Sequence, residues 1–309
     1  MVLRVGTDCS GIEAPIEALK QLKIPFEHEF SSEIDKYCIK SIKANYNPKI
    51  IFGDKDGPFP EGDIRKRDIN VVPDIDLYVC GFPCQPFSSA GKRNGLNDDR
   101  GNVFFSCLDV IKQKQPKYFI LENVKGLLTH DKGNTWKIIS SCLENLKSNY
   151  GYYIHSKVLN TKDYGIPQNR ERLFIIGNKN NTFIWGEKIK MKNLIDFIDF
   201  TDTRKDNIPN RIEKSNFLNL IPINSLIVDF SFYGRTTFPS SDKICPCIAK
   251  KSEMWNVKLN RKLNINELLK LQGFSINFNI KVPETYFKQQ IGNSISVNVL
   301  KEILIKLMS

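Results

Sequence analysis

Histidine is scarce in this chain, with three among 309 residues, and none of the eight cysteines stands in a Cys-x-x-Cys pair. Structural zinc needs four such ligands at short spacings, so the residue types argue against a metal centre. No apolar run approaches the roughly 20 residues that span a bilayer. Met1 leads directly into the strand-like Leu3-Arg4-Val5-Gly6-Thr7 rather than into the apolar core of a cleavable leader. A soluble protein of the cytoplasm, or of the nucleoid, is therefore expected. Internal repeats and low-complexity tracts are missing, as is the Gly-x-Gly-x-x-Gly spacing that cradles a dinucleotide pyrophosphate.

What is present is an apolar fraction of 41%, enough for one large core and a smaller appended domain. Lys and Arg outnumber Asp and Glu by 45 to 34, a formal charge of +11. That surplus fits either a polyanionic partner or a lysine-rich solvated surface.

Short apolar runs at 3–7, 27–31, 77–80, 118–122, 154–158 and 173–177 alternate with helical spacing at 15–22, 34–45, 103–114 and 135–149. Such alternation predicts an α/β fold, a doubly wound and mostly parallel sheet with helices on both faces. From 178 to 258 the alternation dissolves among Pro209, Pro222, Pro239 and Pro246. Helical spacing returns at 266–272 and 295–308. Three segments result: 1–177, a smaller domain at 178–258, and 259–309.

In a doubly wound sheet a ligand lies beyond the carboxyl ends of the strands. The first strand ends in Thr7-Asp8-Cys9-Ser10-Gly11-Ile12-Glu13, and Glu33 closes the second, 22 residues after Gly11. An acidic residue at that place binds ribose hydroxyls, which implies a nucleoside cofactor. The third run is followed by Gly81-Phe82-Pro83-Cys84-Gln85 and by a Gly- and Lys-rich stretch at 91–100. A cysteine at a strand tip under a closing loop suits a nucleophile, and a packing thiol in a Pro-bounded turn is the plainer alternative. Other cysteines, such as Cys80 and Cys107, lie in apolar surroundings and are expected as reduced packing thiols. Glu122-Asn123-Val124 ends the next run, and Gln168-Asn169-Arg170-Glu171-Arg172 precedes a later one. Parallel strands would set these groups on one rim with Cys84, although a helix cap or local ion pairs would use the same residue types.

Pro83-Cys84-Gln85, Glu122-Asn123-Val124, Gln168-x-Arg170-x-Arg172, Arg261 with Glu267 and Gln272-Gly273-Phe274, and Gly292-Asn293-Ser294 occur in this order. Together they resemble the motifs of the cytosine-5 DNA methyltransferase family, across nearly the whole chain outside 178–258. The resemblance implies a Rossmann-like catalytic domain with S-adenosylmethionine as methyl donor, leaving S-adenosylhomocysteine, and a flipped-out cytosine of double-stranded DNA as acceptor. It implies Cys84 as the nucleophile that adds to C6, Glu122 as donor to N3, Arg172 as partner of the cytosine carbonyl, and Arg170 as support for the site. For the cofactor it implies Gly11, flanked by Cys9 and Ile12, at the methionine part, Glu33 at the ribose and Asp63 at the adenine amine. Ile34, Ile64 and Pro83 would wall the adenine, and Asn293 and Ser294 would return to the same pocket. Residues 1–177 then form the catalytic and cofactor-binding domain, 178–258 the target-recognition domain, and 259–309 a segment that completes the first. A monomer is implied, with a cognate restriction endonuclease in the same system.

Several positions depart from the family's pattern. Cys9 stands where an aromatic residue is usual, Glu13 replaces the second glycine of Phe-x-Gly-x-Gly, Ala90 occupies a loop position where a polar residue enters the DNA, and Cys247-Ile248 replaces a Thr-Leu pair. Arg204, Lys205, Arg211, Arg235, Lys250 and Lys251 are candidates for phosphate or guanine contact. Similar active-site motifs also occur in a tRNA-methylating branch. A catalytically silent regulator on the same fold is a third reading, against which intact Cys84, Glu122 and Arg172 speak.

Overall fold

The computed structural model describes residues 2–83, 103–180, 183–233, 240–241 and 243–309. Cys84, Ala90, Arg235 and the stretch 91–100 lie outside the described residues.

In chain order the first elements are β1 (Leu3–Asp8), α1 (Ala14–Leu22), β2 (Phe26–Ser32), α2 (Lys36–Asn45), β3 (Ile50–Phe52) and β4 (Leu77–Cys80). They are followed by α3 (Val103–Lys114), β5 (Tyr118–Val124), α4 (Asn134–Tyr150), β6 (Tyr153–Asn160) and β7 (Glu171–Asn178). The seven strands make one sheet in the order β3-β2-β1-β4-β5-β7-β6. Strand order reverses between β1 and β4, which pair in parallel with Asp8 level with Cys80, so the turns after both strands open on the same crevice. The expected mostly parallel sheet is present, with one correction. β7 runs antiparallel to β5, with Arg172 level with Val124. Arg172 stands at the start of its strand, so a parallel β7 would have carried it to the opposite rim.

Helix α2 begins at Lys36 rather than at 34 because the Asp35 side chain accepts the Tyr37 amide and caps it. The first compact unit comprises Met1–Leu159, Glu171–Gly186 and Leu300–Ser309. Its core joins Phe30, Phe52, Tyr78, Phe104, Phe119 and Tyr152, and burying each such ring contributes about 1.5–3 kcal/mol.

The second unit comprises Asn160–Arg170 and Glu187–Val299. It contains α5 (Asn210–Glu213), β8 (Ile227–Asp229), β9 (Ser240–Ser241), β10 (Met254–Asn256), β11 (Arg261–Lys262), α6 (Ile265–Gln272), α7 (Glu284–Asn293) and the start of α8 (Val297–Met308). Its four strands form an antiparallel sheet in the order β11-β10-β8-β9. A small core of Ile212, Phe217, Val228, Phe230 and Trp255 lies against it, with the Phe230 and Trp255 rings stacked at 4.9 Å. Among the described residues no helix is long and apolar enough to cross a membrane.

Candidate active site

The turn after β1 passes through left-handed backbone at Cys9, Gly11 and Glu13, with φ of 50°, 57° and 61°. There the Gly11 amide donates to Glu33 Oε2 at 2.9 Å, while the Ile34 and Asp35 amides donate to Glu33 Oε1 at 2.8 and 3.0 Å. A carboxylate has about four acceptor lobes, so one on Oε2 remains. Burial pushes the Glu33 carboxyl above its ordinary pKa, against the pull of these amides. A Cβ on Gly62 would lie 2.2 Å from the Glu33 carbonyl oxygen, so glycine is what lets the following segment press against the end of β2. Asp63 comes next, held below the usual carboxylate range by Arg65, whose Nε and Nη2 lie 2.8 and 2.6 Å from its two oxygens. Ile34 is 76% exposed, Ile12 and Ile64 are buried, and Pro83 is exposed. An apolar side chain left in water beside a carboxylate with a spare acceptor lobe suits a nucleoside, whose base is apolar-faced and whose ribose donates hydrogen bonds.

At the end of β4, Phe82 is buried against the Phe104 ring at 5.3 Å. Its carbonyl accepts from Asn123 Nδ2 at 2.8 Å, and Asn123 Oδ1 accepts the Val124 amide at 2.8 Å. Asn123 thus fixes the end of β5 to the peptide two residues before Cys84. Beside it, Glu122 Oε1 lies 3.2 Å from Arg172 Nε, with both side chains mostly buried. Arg172 also donates to the Glu171 carbonyl at 2.8 Å. The fold therefore brings Glu122 and Arg172 together, next to the segment that leads into Cys84.

Arg170, Asn293 and Ser294 belong to the second unit. The Arg170 guanidinium is 2.6 Å from both the Ile248 and Ser294 carbonyls, 3.2 Å from that of Gly292 and 3.6 Å from Cys247 Sγ. Gln168 accepts the Ile248 amide at 3.1 Å and donates to the Leu271 carbonyl at 2.7 Å. These contacts make Arg170 a tie between irregular segments, and they pin Cys247-Ile248. Asn293 is exposed and Ser294 is buried. Gly292 admits no side chain, because a Cβ would lie 2.4 Å from the Ala249 carbonyl oxygen.

Three features of the site escaped the sequence. Asp8 accepts a bidentate pair from Arg67 at 2.7 and 3.0 Å and a bond from Tyr78 Oη at 2.7 Å, with both ionic side chains almost wholly buried. The Arg67 guanidinium also lies over the Phe52 and Phe30 rings, at 4.5 and 5.3 Å. This clamp ties the Asp63 segment to the end of β1, but its partners are 59 residues apart and nothing local pairs them. The second feature is Glu13, which turns inward and accepts from Thr7 and Ser31 hydroxyls at 2.6 and 2.5 Å, so the replaced glycine has become a buried anchor for the turn. Asn123 is the third, and its place inside the Glu122 motif was the available signal.

The family model for C-5 cytosine-specific DNA methylases matches residues 7–225 and 200–309. The chain belongs to that family. The type II methyltransferase M1.ScrFI of Lactococcus lactis subsp. cremoris is 36% identical over 298 residues, covering 90% of this chain and 71% of the relative. M.NgoBI of Neisseria gonorrhoeae, also a type II methyltransferase, is 37% identical over 284 residues, covering 88% and 83%. The crystal structure of the S. pombe Dnmt2 methyltransferase shares the fold, with a TM-score of 0.72 at 21% identity over 99% of this chain and 98% of that one. As a C-5 cytosine-specific DNA methylase this chain is an S-adenosylmethionine-dependent enzyme that methylates cytosine in DNA. The residues around Glu33 and Gly11 fit the nucleoside half of that cofactor.

Proposed function

We propose that Cys84, Glu122 and Arg172 form the reacting centre, and that the acceptor is a cytosine extruded from double-stranded DNA within a specific sequence. The observation that carries this reading is the Glu122–Arg172 pair at 3.2 Å beside the Asn123–Phe82 bond that leads into Cys84. S-adenosylmethionine supplies the electrophilic methyl group. Cytosine C5 is a poor nucleophile, and adding the Cys84 thiolate to C6 makes it enamine-like. Charge that develops on the ring is relieved by a hydrogen bond or proton from Glu122 at N3. Arg172 holds the base carbonyl and orients Glu122, and its charge favours the thiolate. C5 would then take the methyl group, with S-adenosylhomocysteine as the leaving product, and loss of the C5 proton to a base lets Cys84 leave. Glu33 would hold the ribose, Asp63 the adenine amine, and Ile34, Ile64 and Pro83 the adenine faces. Gly11 with Cys9 and Ile12 would hold the methionine part.

In this reading a base inside a duplex must be flipped out to reach the site. Residues 178–258 read the flanking bases, while 1–177 and 259–309 form the catalytic domain. The type II names of the relatives support a partner restriction endonuclease, with the enzyme acting as a monomer on cytoplasmic, nucleoid DNA.

The test is a duplex with 5-fluorocytosine at the methylated position. Fluorine cannot depart as a proton does, so with S-adenosylmethionine a protein–DNA adduct should survive denaturing electrophoresis and map to Pro83-Cys84-Gln85. Cys84→Ser should abolish it, because a hydroxyl is a far poorer nucleophile at neutral pH. A full yield of adduct in Cys84→Ser would remove Cys84 from its role.

A further inference from the structure

The cationic candidates of the second unit that lie among the described residues divide into two groups. Arg204 pairs with Asp202 at 2.7 Å, Lys205 donates to the Leu259 carbonyl at 2.9 Å, and Arg211 pairs with Glu253, so these three are spent locally. Lys250 and Lys251 have no hydrogen bond or ion pair among the described residues. They border a recess of about 280 Å³ together with Lys262 from β11 and Lys288 from α7. Sequence distance hides this gathering.

The recess is built on a firm turn. The Ser252 amide donates to the Ala249 carbonyl at 3.1 Å, and Ser252 Oγ accepts the Ala249 amide at 2.9 Å and donates to the Cys247 carbonyl at 3.3 Å. Gly292 presses α7 against the Ala249 backbone from the other side. The lysines therefore project from a fixed corner. Lys288 also pairs with Glu284 at 2.6 Å, and the lining carboxylate of Glu253 is already answered by Arg211. Thr285 and Gln289 add neutral polar groups to the wall, Met254, Leu263 and Leu268 also line it, and among the described residues no aromatic ring does. With four lysines at its border and no aromatic face among the described residues on which a base can stack, the recess suits phosphate better than a stacked nucleobase.

We propose that this recess seats backbone phosphates of the substrate duplex, as a sequence-independent anchor separate from base reading. The inference rests on the reading of the enzyme as one that binds duplex DNA. Its test titrates the full chain into two labelled duplexes over a series of salt concentrations, one a genomic duplex that it methylates and the other a shuffled sequence of equal length. Each phosphate that the protein no longer neutralises lowers the slope of log affinity against log salt by about 0.9. Lys250→Ala with Lys251→Ala should lower it by about two and weaken both duplexes by a common factor of about tenfold at low salt. Arginine at both positions should restore binding, and cofactor affinity measured by calorimetry should be unchanged, which guards against misfolding. An unchanged slope and affinity, or a loss confined to the methylated duplex, overturns the phosphate seat. Inorganic phosphate should weaken the wild-type complex, but not the variant's, beyond chloride of equal ionic strength, because a seat for backbone phosphate also accepts the free ion, and equal weakening of both complexes would overturn the seat. Failure of the wild-type protein to bind either duplex overturns instead the reading on which the seat rests.

Discussion

The two units use buried charge in opposite ways. In the first, regular strands satisfy their own backbone, so although Asp8 and Glu13 are spent on anchoring the turn after β1, the Glu33 carboxylate beyond β2 keeps capacity for a ligand. Glu33 retains an acceptor lobe, and the Glu122–Arg172 pair lies beside the segment entering Cys84. In the second, strands of two or three residues leave carbonyls that side chains must satisfy. Arg261, fully buried, donates to the carbonyls of Asp199, Asp202 and Lys262 and forms a bidentate pair with Glu267 at 2.8 and 2.8 Å. Motif residues of one family therefore divide by task. Glu33, Glu122 and Arg172, at the ends of long strands, are the ones proposed for chemistry, and Arg170 and Arg261, among irregular segments, hold the backbone.

The sharpest way to break this contrast is to remove one arginine from each unit. Arg261→Ala strands the Glu267 carboxylate in a buried site and leaves three carbonyls unanswered, so unfolding free energy should fall by about 3–5 kcal/mol in urea titration. Arg172→Ala should cost less than about 2 kcal/mol of stability. It should instead lower kcat/KM for DNA methylation by about 10²–10³-fold, roughly 2.7–4 kcal/mol, because it deletes the donor proposed to hold the reacting base. A variant of Arg172 that unfolds as readily as Arg261→Ala while the folded fraction methylates normally would erase the distinction.

Much of the first unit was legible because its strands are long enough for their apolar runs to stand out. The six expected strands are present, and β1, β2, β4 and β5 place Gly11, Glu33, Pro83 and Glu122 at carboxyl ends, as their spacing implied. The direction of β7 was not legible. Its apolar run fits a strand of either sense, and only the pairing of Val124 with Arg172 settles it. β3 was missed because three residues carry no period, and the small sheet for the same reason. α7 was missed because its polar sequence buries chiefly Phe287, Gln290 and Ile291. The Asp8–Arg67 clamp and the lysine recess depend on distant segments meeting, which no local pattern encodes.

A smaller effect sharpens the claim that the Glu33 carboxylate keeps ligand capacity. Glu33→Ala should weaken S-adenosylmethionine binding by about 1.5–3 kcal/mol in calorimetry, the worth of hydrogen bonds to a charged group. The pH dependence has a definite sign. Burial raises the folded-state pKa of Glu33, and the ionised form is the one that would accept ribose hydroxyls in the proposed site. Affinity should therefore fall as pH drops through a value above the ordinary glutamate pKa of about 4.3. Stability should move the other way, since a raised carboxyl pKa contributes stability at low pH that is lost as pH rises through it. Glu33→Gln should flatten both trends, and an affinity profile that keeps its acid limb in that variant would assign the titration to another group.

The smallest expected difference concerns helix caps, where the two units again contrast. Asp35 caps α2 through a single bond to the Tyr37 amide at 2.8 Å, at an exposed position. Asn264 caps α6 through a reciprocal box, its side chain accepting the Glu267 amide at 2.9 Å while Glu267 accepts the Asn264 amide at 2.7 Å. Asn264 Nδ2 also donates to Asp202 at 3.0 Å, beside the Arg261 network. Replacing a capping side chain by alanine costs about 0.5–2 kcal/mol, the low end applying where solvent can substitute. Asp35→Ala should fall near the low end, because water reaches the freed amide. Asn264→Ala should fall near the high end, because it opens the box and takes a donor from Asp202 in the same step. Urea midpoints of the two variants decide the matter: equal losses would mean that the side-chain network of the second unit holds its irregular backbone no more firmly than an ordinary cap holds a helix.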